Sequence, residues 1–166
     1  METSAVHIGE ICLVICIGYV LVLLMVGVHE RGHIIGLTSC GFMWEDCCVG
    51  PLLWQQRRGR VTQSYSGIIC RGFVSPESKF YQASLNQRLV FLLGGAVANA
   101  LFGLLLSSTI DRYPALEHYD ANLFMFLALI SMGAAICKLI PFRIGDLRSD
   151  GLQIYELLSR RGQRRN

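Results

Sequence analysis

The residue types best suited to chemistry lie in one short motif, where residues 29–33 read His-Glu-Arg-Gly-His. On an α-helix, residues four apart lie one turn apart on the same face, so the imidazoles of His29 and His33 can bind one tetrahedral zinc ion. The carboxylate of Glu30, between them, can act as a general base. The motif therefore predicts zinc-dependent hydrolysis with one zinc ion per chain.

Two histidines do not complete a catalytic zinc site, which uses three protein ligands and leaves the fourth position for water. Two carboxylates, Asp146 and Asp150, follow the last apolar segment of the chain. Asp150 lies in a Ser-Asp-Gly sequence, which is also typical of an ordinary helix N-cap. On residue types alone, both carboxylates stay open as the third ligand.

Three uncharged, apolar segments must position these residues: 11–28, 90–110 and 121–137. Each has about the length that an α-helix needs to cross a bilayer. Hydrophobic residues make up 52% of the chain and charged residues only 16%, a balance that excludes an ordinary soluble domain. We predict an α-helical integral membrane protein of one domain, residues 1–166, with transmembrane helices at about 9–30, 86–110 and 121–140.

The predicted connections carry some structure of their own. In the loop of residues 37–85, the stretch 61–70 is rich in β-forming residues and predicts a strand. Residues 51–54 are its predicted hairpin partner, and Trp44 and Trp54 suit a membrane interface. In the tail of residues 141–166, an amphipathic helix is predicted to begin at Asp150 and to run through residue 160. Its apolar positions are Leu152, Tyr155, Leu157 and Leu158.

The basic residues predict the orientation in the membrane. Residues 31–88 hold seven Lys and Arg, residues 138–166 hold seven more, and none precedes Arg31. Because basic residues collect on the cytosolic side, we expect the N-terminus outside, and the long loop and the C-terminus in the cytosol. The motif at residues 29–33 would then lie near the cytosolic end of the first helix.

The second apolar segment contains the sequence Gly-Gly-Ala-Val-Ala-Asn at residues 94–99. Small residues of this kind allow two membrane helices to pack closely. Asn99 is different, because an amide in hydrocarbon needs a hydrogen-bond partner. That partner can be a neighbouring helix, or it can be the carbonyl group of a substrate.

These elements, in this order, resemble the site-2 protease family of intramembrane zinc metalloproteases. That family shows HExxH at one membrane helix, Gly-Gly-Pro-x-x-Asn in a second, and Asn-x-x-Pro followed by Asp-Gly after a third. Here the third element reads Lys-Leu-Ile-Pro at residues 138–141, with Asp150 and Gly151 further on. Ala96 replaces the family's Pro, and Lys138 stands where Asn is common. The gap from Pro141 to Asp150 is longer than the commonest spacing, which Asp146 satisfies without a following Gly.

The resemblance implies roles for individual residues. His29, His33 and Asp150 would bind zinc, with Asp150 preferred over Asp146 for its Asp-Gly pair, and Glu30 would move protons. Asn99 would hold the substrate backbone or the developing oxyanion. The implied partner is an unwound membrane-spanning protein substrate, cut near the cytosolic face and paired with the strand at 61–70. The implied setting is the lipid bilayer of a prokaryotic cell membrane, with no nucleic acid as a partner.

Two other functions remain open on the sequence. The first is a catalytically inactive relative that acts as a binding or regulatory protein in the membrane, which the substitutions at Ala96 and Lys138 favour. The second is a metal-handling membrane protein, for which Cys47 and Cys48 would bind metal and Glu30 would not matter. The helices lack the polar lining that a metal pathway would need.

Overall fold

The computed structural model describes residues 2–57, 60–65, 72–112, 118–145 and 147–163. Within these ranges the chain is mostly helical, with one four-stranded sheet and one small hairpin. The helices are α1 Glu2–Ser39, α2 Leu85–Arg112, α3 His118–Leu139 and α4 Asp150–Gln163, with a 3-10 helix at Ser78–Gln82. The strands are β1 Trp44–Val49, β2 Leu52–Arg57, β3 Arg60–Tyr65, β4 Gly72–Pro76, β5 Arg143–Ile144 and β6 Leu147–Arg148.

Three helical segments are long and apolar enough to cross a membrane: Ile11–Ser39, Leu85–Thr109 and Asn122–Leu139. The three apolar helices that the sequence predicts are therefore confirmed as helices. The predicted end of the first helix, at about residue 30, is too early, because α1 continues to Ser39 and includes all of residues 29–33. Large apolar side chains such as Ile15, Leu105 and Leu129 are more than half exposed, as expected for helices that face lipid.

Helix α2 lies between α1 and α3 and packs closely on α1 at glycines. A Cβ atom added to Gly32 would collide with the backbone oxygen of Gly94, and one added to Gly94 would collide with that of Gly32. Such contact of two backbones needs small residues on both helices. The run of small residues at 94–99 thus has the packing role that the sequence predicts, and it brings α2 against the HExxH turn of α1.

The four strands form an antiparallel sheet in the order β3-β2-β1-β4. The predicted hairpin is present as β2 and β3, with Trp54 opposite Gln63. Strand β2 is longer than the predicted 51–54, and the described part of the predicted strand 61–70 ends at Tyr65, because residues 66–71 lie outside the described ranges. Strands β1 and β4 were not predicted, since β1 lacks regular alternation and β4 has only five residues.

After Pro141, β5 and β6 form a short hairpin with Arg143 opposite Arg148. Its turn includes Gly145 with a φ of +58°, a left-handed conformation that glycine adopts without strain. The predicted amphipathic helix is confirmed as α4. Ile154 and Leu157 of α4 pack against a buried cluster formed by Leu37, Phe80, Phe91 and Leu92, whereas Tyr155 and Leu158, two of its predicted apolar positions, are exposed.

Candidate metal centre

Three buried side chains converge where α1, α2 and α4 meet. The Nε2 atom of His29 lies 3.0 Å from Oδ2 of Asp150. The Nε2 atom of His33 lies 3.2 Å from Nε2 of His29 and 3.6 Å from Oδ2 of Asp150. Among the described residues, these three form the one group of His, Cys, Asp or Glu that could hold a metal ion.

The spacing of these three atoms fits a zinc ion. Ligands about 2.0–2.1 Å from a tetrahedral ion lie roughly 3.3 Å from each other. The three observed separations, 3.0, 3.2 and 3.6 Å, lie on both sides of that value. Two imidazoles and one carboxylate are also a ligand set of catalytic zinc sites, with a fourth position left for water. The donors and their spacing therefore fit the group that the sequence predicts.

A hydrogen bond from α1 to α2 fixes the orientation of His33. Its Nδ1–H donates to the backbone oxygen of Phe91 over 2.7 Å. Because a neutral imidazole carries one proton, this bond leaves the lone pair of Nε2 free to face His29 and Asp150. Metal-binding histidines commonly donate their other ring nitrogen to a carbonyl oxygen in this way.

Gly95 makes room for the two imidazoles. A Cβ atom at this position would lie 2.6 Å from Cε1 of His29 and 2.7 Å from Nε2 of His33. Both separations are far shorter than van der Waals contact, so any side chain here would displace the rings. Gly95 is thus required by the space that the two imidazoles occupy, and Gly94 is required by the close contact between α1 and α2.

Ser149, one residue before Asp150, caps α4 and closes the hairpin. Its hydroxyl donates to the backbone oxygen of Ile140 over 2.7 Å and accepts from the N–H groups of Phe142 and Leu152. The bond to Leu152 is the N-cap bond of the helix. Ser149 therefore has the capping role considered for Asp150, and the Asp150 carboxylate is left to face the histidines.

The long gap between Pro141 and Asp150 is taken up by the β5–β6 hairpin. The chain leaves the end of α3, turns at Gly145 and returns, so that Ser149 bonds to Ile140 and Phe142. Gly151 then packs so tightly that an added Cβ would collide with the backbone oxygen of Leu139. This contact explains why a glycine follows Asp150. Asp146, the other candidate for the third ligand, lies outside the described residues.

The environment of Asp150 favours its ionised form. Burial by itself would raise the pKa of this carboxyl, but the adjacent imidazoles of His29 and His33 outweigh burial and hold the pKa well below its usual range. A carboxylate that stays ionised is the form that binds a metal ion.

Glu30 lies beside the three ligands and is only 3% exposed. Strand β4 packs directly on it, since a Cβ added to Gly72 would lie 2.5 Å from its Oε1 atom. Glu30, the three ligands and β4 share one cleft of about 300 Å³. The other residues that line the cleft are Phe73, Val74, Phe91, Leu92, Lys138, Leu147, Arg148 and Gln153.

Several of these cleft residues were not predicted from the sequence. Phe91 could have been found, because it precedes Gly95 by one helical turn and so shares its face of α2. Lys138 was noted as a departure from the family pattern, but nothing placed its side chain in the cleft. The β4 residues carry no periodic signal in so short a strand, and only the fold brings them to Glu30.

Asn99 is buried on α2, one helical turn beyond Gly95. Its backbone oxygen accepts a hydrogen bond of 2.7 Å from the Ser131 hydroxyl of α3. Its side-chain Oδ1 atom is buried and has no hydrogen-bond partner among the described residues. Asn99 is not among the residues that line the cleft, so the structure places it near the ligands without bringing it to them.

Cys47 and Cys48 do not form a second metal group with other described residues. They are neighbours in β1, where successive side chains point to opposite faces of the sheet. Both are buried as free thiols. Nothing in this arrangement favours the metal-handling function.

Two histidines on a helix able to cross a membrane, joined by a carboxylate from another helix, form the arrangement of a membrane metallopeptidase. Residues 17–115 match the model of Peptidase family M50. This match covers more than half of the chain, and the chain belongs to that family, the site-2 protease family of zinc metalloproteases. The matched residues end before Asp150, so the third ligand rests on the fold. No curated protein and no solved structure matches the chain.

Proposed function

We propose that this protein is an intramembrane zinc endopeptidase that cuts a membrane-spanning protein near the cytosolic face. The observation that carries the proposal is the convergence of Asp150, from α4, with His29, His33 and the buried Glu30, which lie on a helix able to cross a membrane. His29, His33 and Asp150 would hold one zinc ion per chain. The whole chain, residues 1–166, would act as one membrane-embedded domain.

Zinc, when bound, would supply a Lewis acid that lowers the pKa of a water molecule towards ~7. The chain's own residues would carry out the proton transfers. Glu30 would accept a proton from the attacking water and then donate it to the amine that leaves. The hydrogen bond from His33 to Phe91 would keep the imidazole in the orientation that binds metal.

We propose that Asn99 binds the substrate backbone or the developing oxyanion. The support is its buried Oδ1 atom, which has no hydrogen-bond partner among the described residues. An amide group held in that state can turn its N–H donors or its acceptor toward a substrate that enters between α1 and α2. Because Asn99 does not line the cleft, this role requires the substrate to open the helix contact.

The substrate would be unwound, because a helix hides its peptide bonds within its own hydrogen-bond ladder. From the sequence, such a substrate is expected to pair with the strand at 61–70. That segment contributes β3, the edge of the sheet opposite β4, whereas β4 is the edge strand that lines the cleft. We therefore propose β4, Gly72–Pro76, as the strand that pairs with the substrate.

The proposed orientation places the N-terminus outside and the C-terminus in the cytosol of a prokaryotic cell. It rests on the distribution of Lys and Arg, which is concentrated in residues 31–88 and 138–166. In this orientation α4, the sheet and the metal centre lie on the cytosolic side.

The proposal can be tested in proteoliposomes with a set of single-span peptides whose helices are interrupted by Gly and Pro. We expect zinc-loaded wild type to cut some of these peptides within the span, with products identified by mass spectrometry. Glu30→Gln should keep its zinc and lose about 10²- to 10⁴-fold in rate, since it removes the general base. If zinc-loaded wild type is no faster than Glu30→Gln on every peptide, the protease function is wrong and the inactive relative is favoured.

A further inference from the structure

Arg31 lies on the side of α1 that faces away from the metal centre. Residues two apart on a helix point to opposite sides, and Arg31 is two residues from both His29 and His33. Its side chain is exposed. Among the described residues, no hydrogen bond or ion pair is made by its guanidinium group. The HExxH turn thus presents two ligands to α2 and one unpaired positive charge to the opposite side.

A groove of about 670 Å³ lies on that opposite side, between α1 and the sheet. Leu24, Val28 and Ile35 line it from the helix, and Val49 and Val61 line it from the sheet. Strand β1 reaches the helix at Gly27, where an added Cβ would lie 3.7 Å from Val49. The groove is mainly apolar, and no acidic residue is among its described lining.

The depth of Arg31 in the membrane can be estimated from helix geometry. Arg31 follows Ile11, where the apolar span begins, by 20 residues, which is about 30 Å along a helix. The hydrocarbon core of a bilayer is about 30 Å thick. The guanidinium group therefore reaches the level at which lipid phosphates lie. An unpaired arginine at this depth lies among the lipid phosphates and can pair with one of them.

Both tryptophans of the chain, Trp44 and Trp54, also line the groove. Tryptophan favours the same interfacial layer, where its ring is apolar and its N–H remains hydrated. The groove thus combines an apolar channel for a hydrocarbon chain, interfacial aromatic rings and one unpaired positive charge.

We propose that this groove binds an anionic phospholipid of the surrounding bilayer, with an acyl chain between α1 and the sheet and the phosphate on Arg31. The lipid would hold the sheet against the membrane, and it would bind on the opposite side of α1 from the metal centre. This site does not depend on proteolysis, because neither zinc nor a substrate takes part in it.

The two tryptophans allow a direct test, since all intrinsic tryptophan fluorescence comes from this groove. The protein would be placed in phosphatidylcholine vesicles that contain a small, fixed fraction of brominated lipid, which quenches tryptophan on contact. We expect brominated phosphatidylglycerol to quench about fivefold more effectively than brominated phosphatidylcholine, the preference that one basic residue near a membrane surface gives.

Arg31→Gln should remove this preference, and Arg31→Lys should keep part of it. Lys79→Gln is the matched control, because it removes one exposed positive charge from the 3-10 helix, outside the groove. It should behave as wild type. Zinc content and the tryptophan emission maximum, measured on each variant, establish that it is folded.

Three outcomes would overturn the proposal. Equal quenching of wild type by both lipids would show that the groove has no preference for an anionic head group. If both Arg31 variants kept the full preference for the anionic lipid, that preference would come from the overall charge of the protein surface and not from Arg31. An absence of quenching by either lipid would show that protein, such as a second copy of the chain, covers the groove.

Discussion

The Oδ2 atom of Asp150 lies 3.0 Å from the Nε2 atom of His29, although 121 positions separate the two residues in the chain. Their contact joins α1, the first of the three helices able to cross a membrane, to α4, which follows the third. The candidate metal centre is therefore complete only when α1, α3 and the β5–β6 hairpin have reached their final positions. A metal ion that binds here would stabilise that arrangement.

Zinc content should depend on Asp150 and not on Asp146. We expect about one zinc ion per chain in wild type and in Asp146→Ala, measured by elemental mass spectrometry on detergent-purified protein. In Asp150→Ala the affinity should fall by more than the ~10- to 100-fold typical of a lost outer-shell contact, because a ligand itself is removed. Loss of zinc in Asp146→Ala alone would move the third ligand to Asp146.

Ser149→Ala should weaken both α4 and metal binding. The substitution removes the N-cap of α4, which costs about 1 kcal/mol in the free energy of unfolding, and it removes the bond that returns the hairpin to Ile140. Because Asp150 is the next residue, zinc affinity should fall about 10- to 100-fold in a competition titration with a chelator.

Ser159→Ala is the control for this change, since Ser159 lies in the same helix and is exposed, with its hydroxyl bonded only locally to Glu156. It should leave zinc affinity unchanged. Equal effects of the two substitutions would show that the Ser149 hydroxyl does not position Asp150.

The Gly95→Ala protein should lose zinc, whereas a matched substitution at another helical glycine, Gly133→Ala, should not. The added methyl group would lie 2.6–2.7 Å from the imidazoles of His29 and His33, so the rings must move apart. Gly133→Ala on α3 meets no atom within 4 Å, and it should keep zinc and gain up to about 1 kcal/mol of helix stability. Zinc analysis and thermal unfolding check both. A Gly95→Ala protein with wild-type zinc affinity would contradict the site geometry.

Cys47 should react slowly with alkylating reagents in the folded protein. Burial, together with the nearby negative charge of Glu30, raises the pKa of its thiol to about 11. A raised pKa favours the neutral thiol, so about one molecule in a thousand carries the reactive thiolate at pH 8. The alkylation rate of Cys47, followed by peptide mass spectrometry, should rise about tenfold per pH unit between pH 8 and 10.

The denatured protein is the reference for this measurement, and there Cys47 should react at the rate of an ordinary cysteine. Fast alkylation of Cys47 at pH 8 in folded protein would show that the thiol is accessible. The metal-handling function, in contrast, would require a Cys47 that zinc protects from the reagent, with protection lost after chelation.

Much of the helical framework could be predicted because its signals are local. An apolar segment long enough to cross a bilayer is visible as a run of residues, and all three such segments are helices in the structure. The spacing of His29 and His33 also needs only the helical repeat. Gly151, beside Asp150, belonged to the family's Asp-Gly pair, and the contact with Leu139 gives its reason.

The rest depended on segments that meet only in the folded chain. Residue types alone left Asp150 and Asp146 open, since both are carboxylates that follow the same helix, and only the Asp-Gly pair of the family pattern favoured Asp150. The β5–β6 hairpin and the Ser149 bonds bring Asp150 to the histidines, and the sheet order brings β4 to Glu30. A periodic pattern records which face of one element is apolar, whereas the partner of that face is selected by packing among distant elements. For that reason the motif and the family pattern predicted the chemistry and its residues, and the three-dimensional fold showed how Asp150 reaches the histidines and where the cleft and the groove beside Arg31 lie.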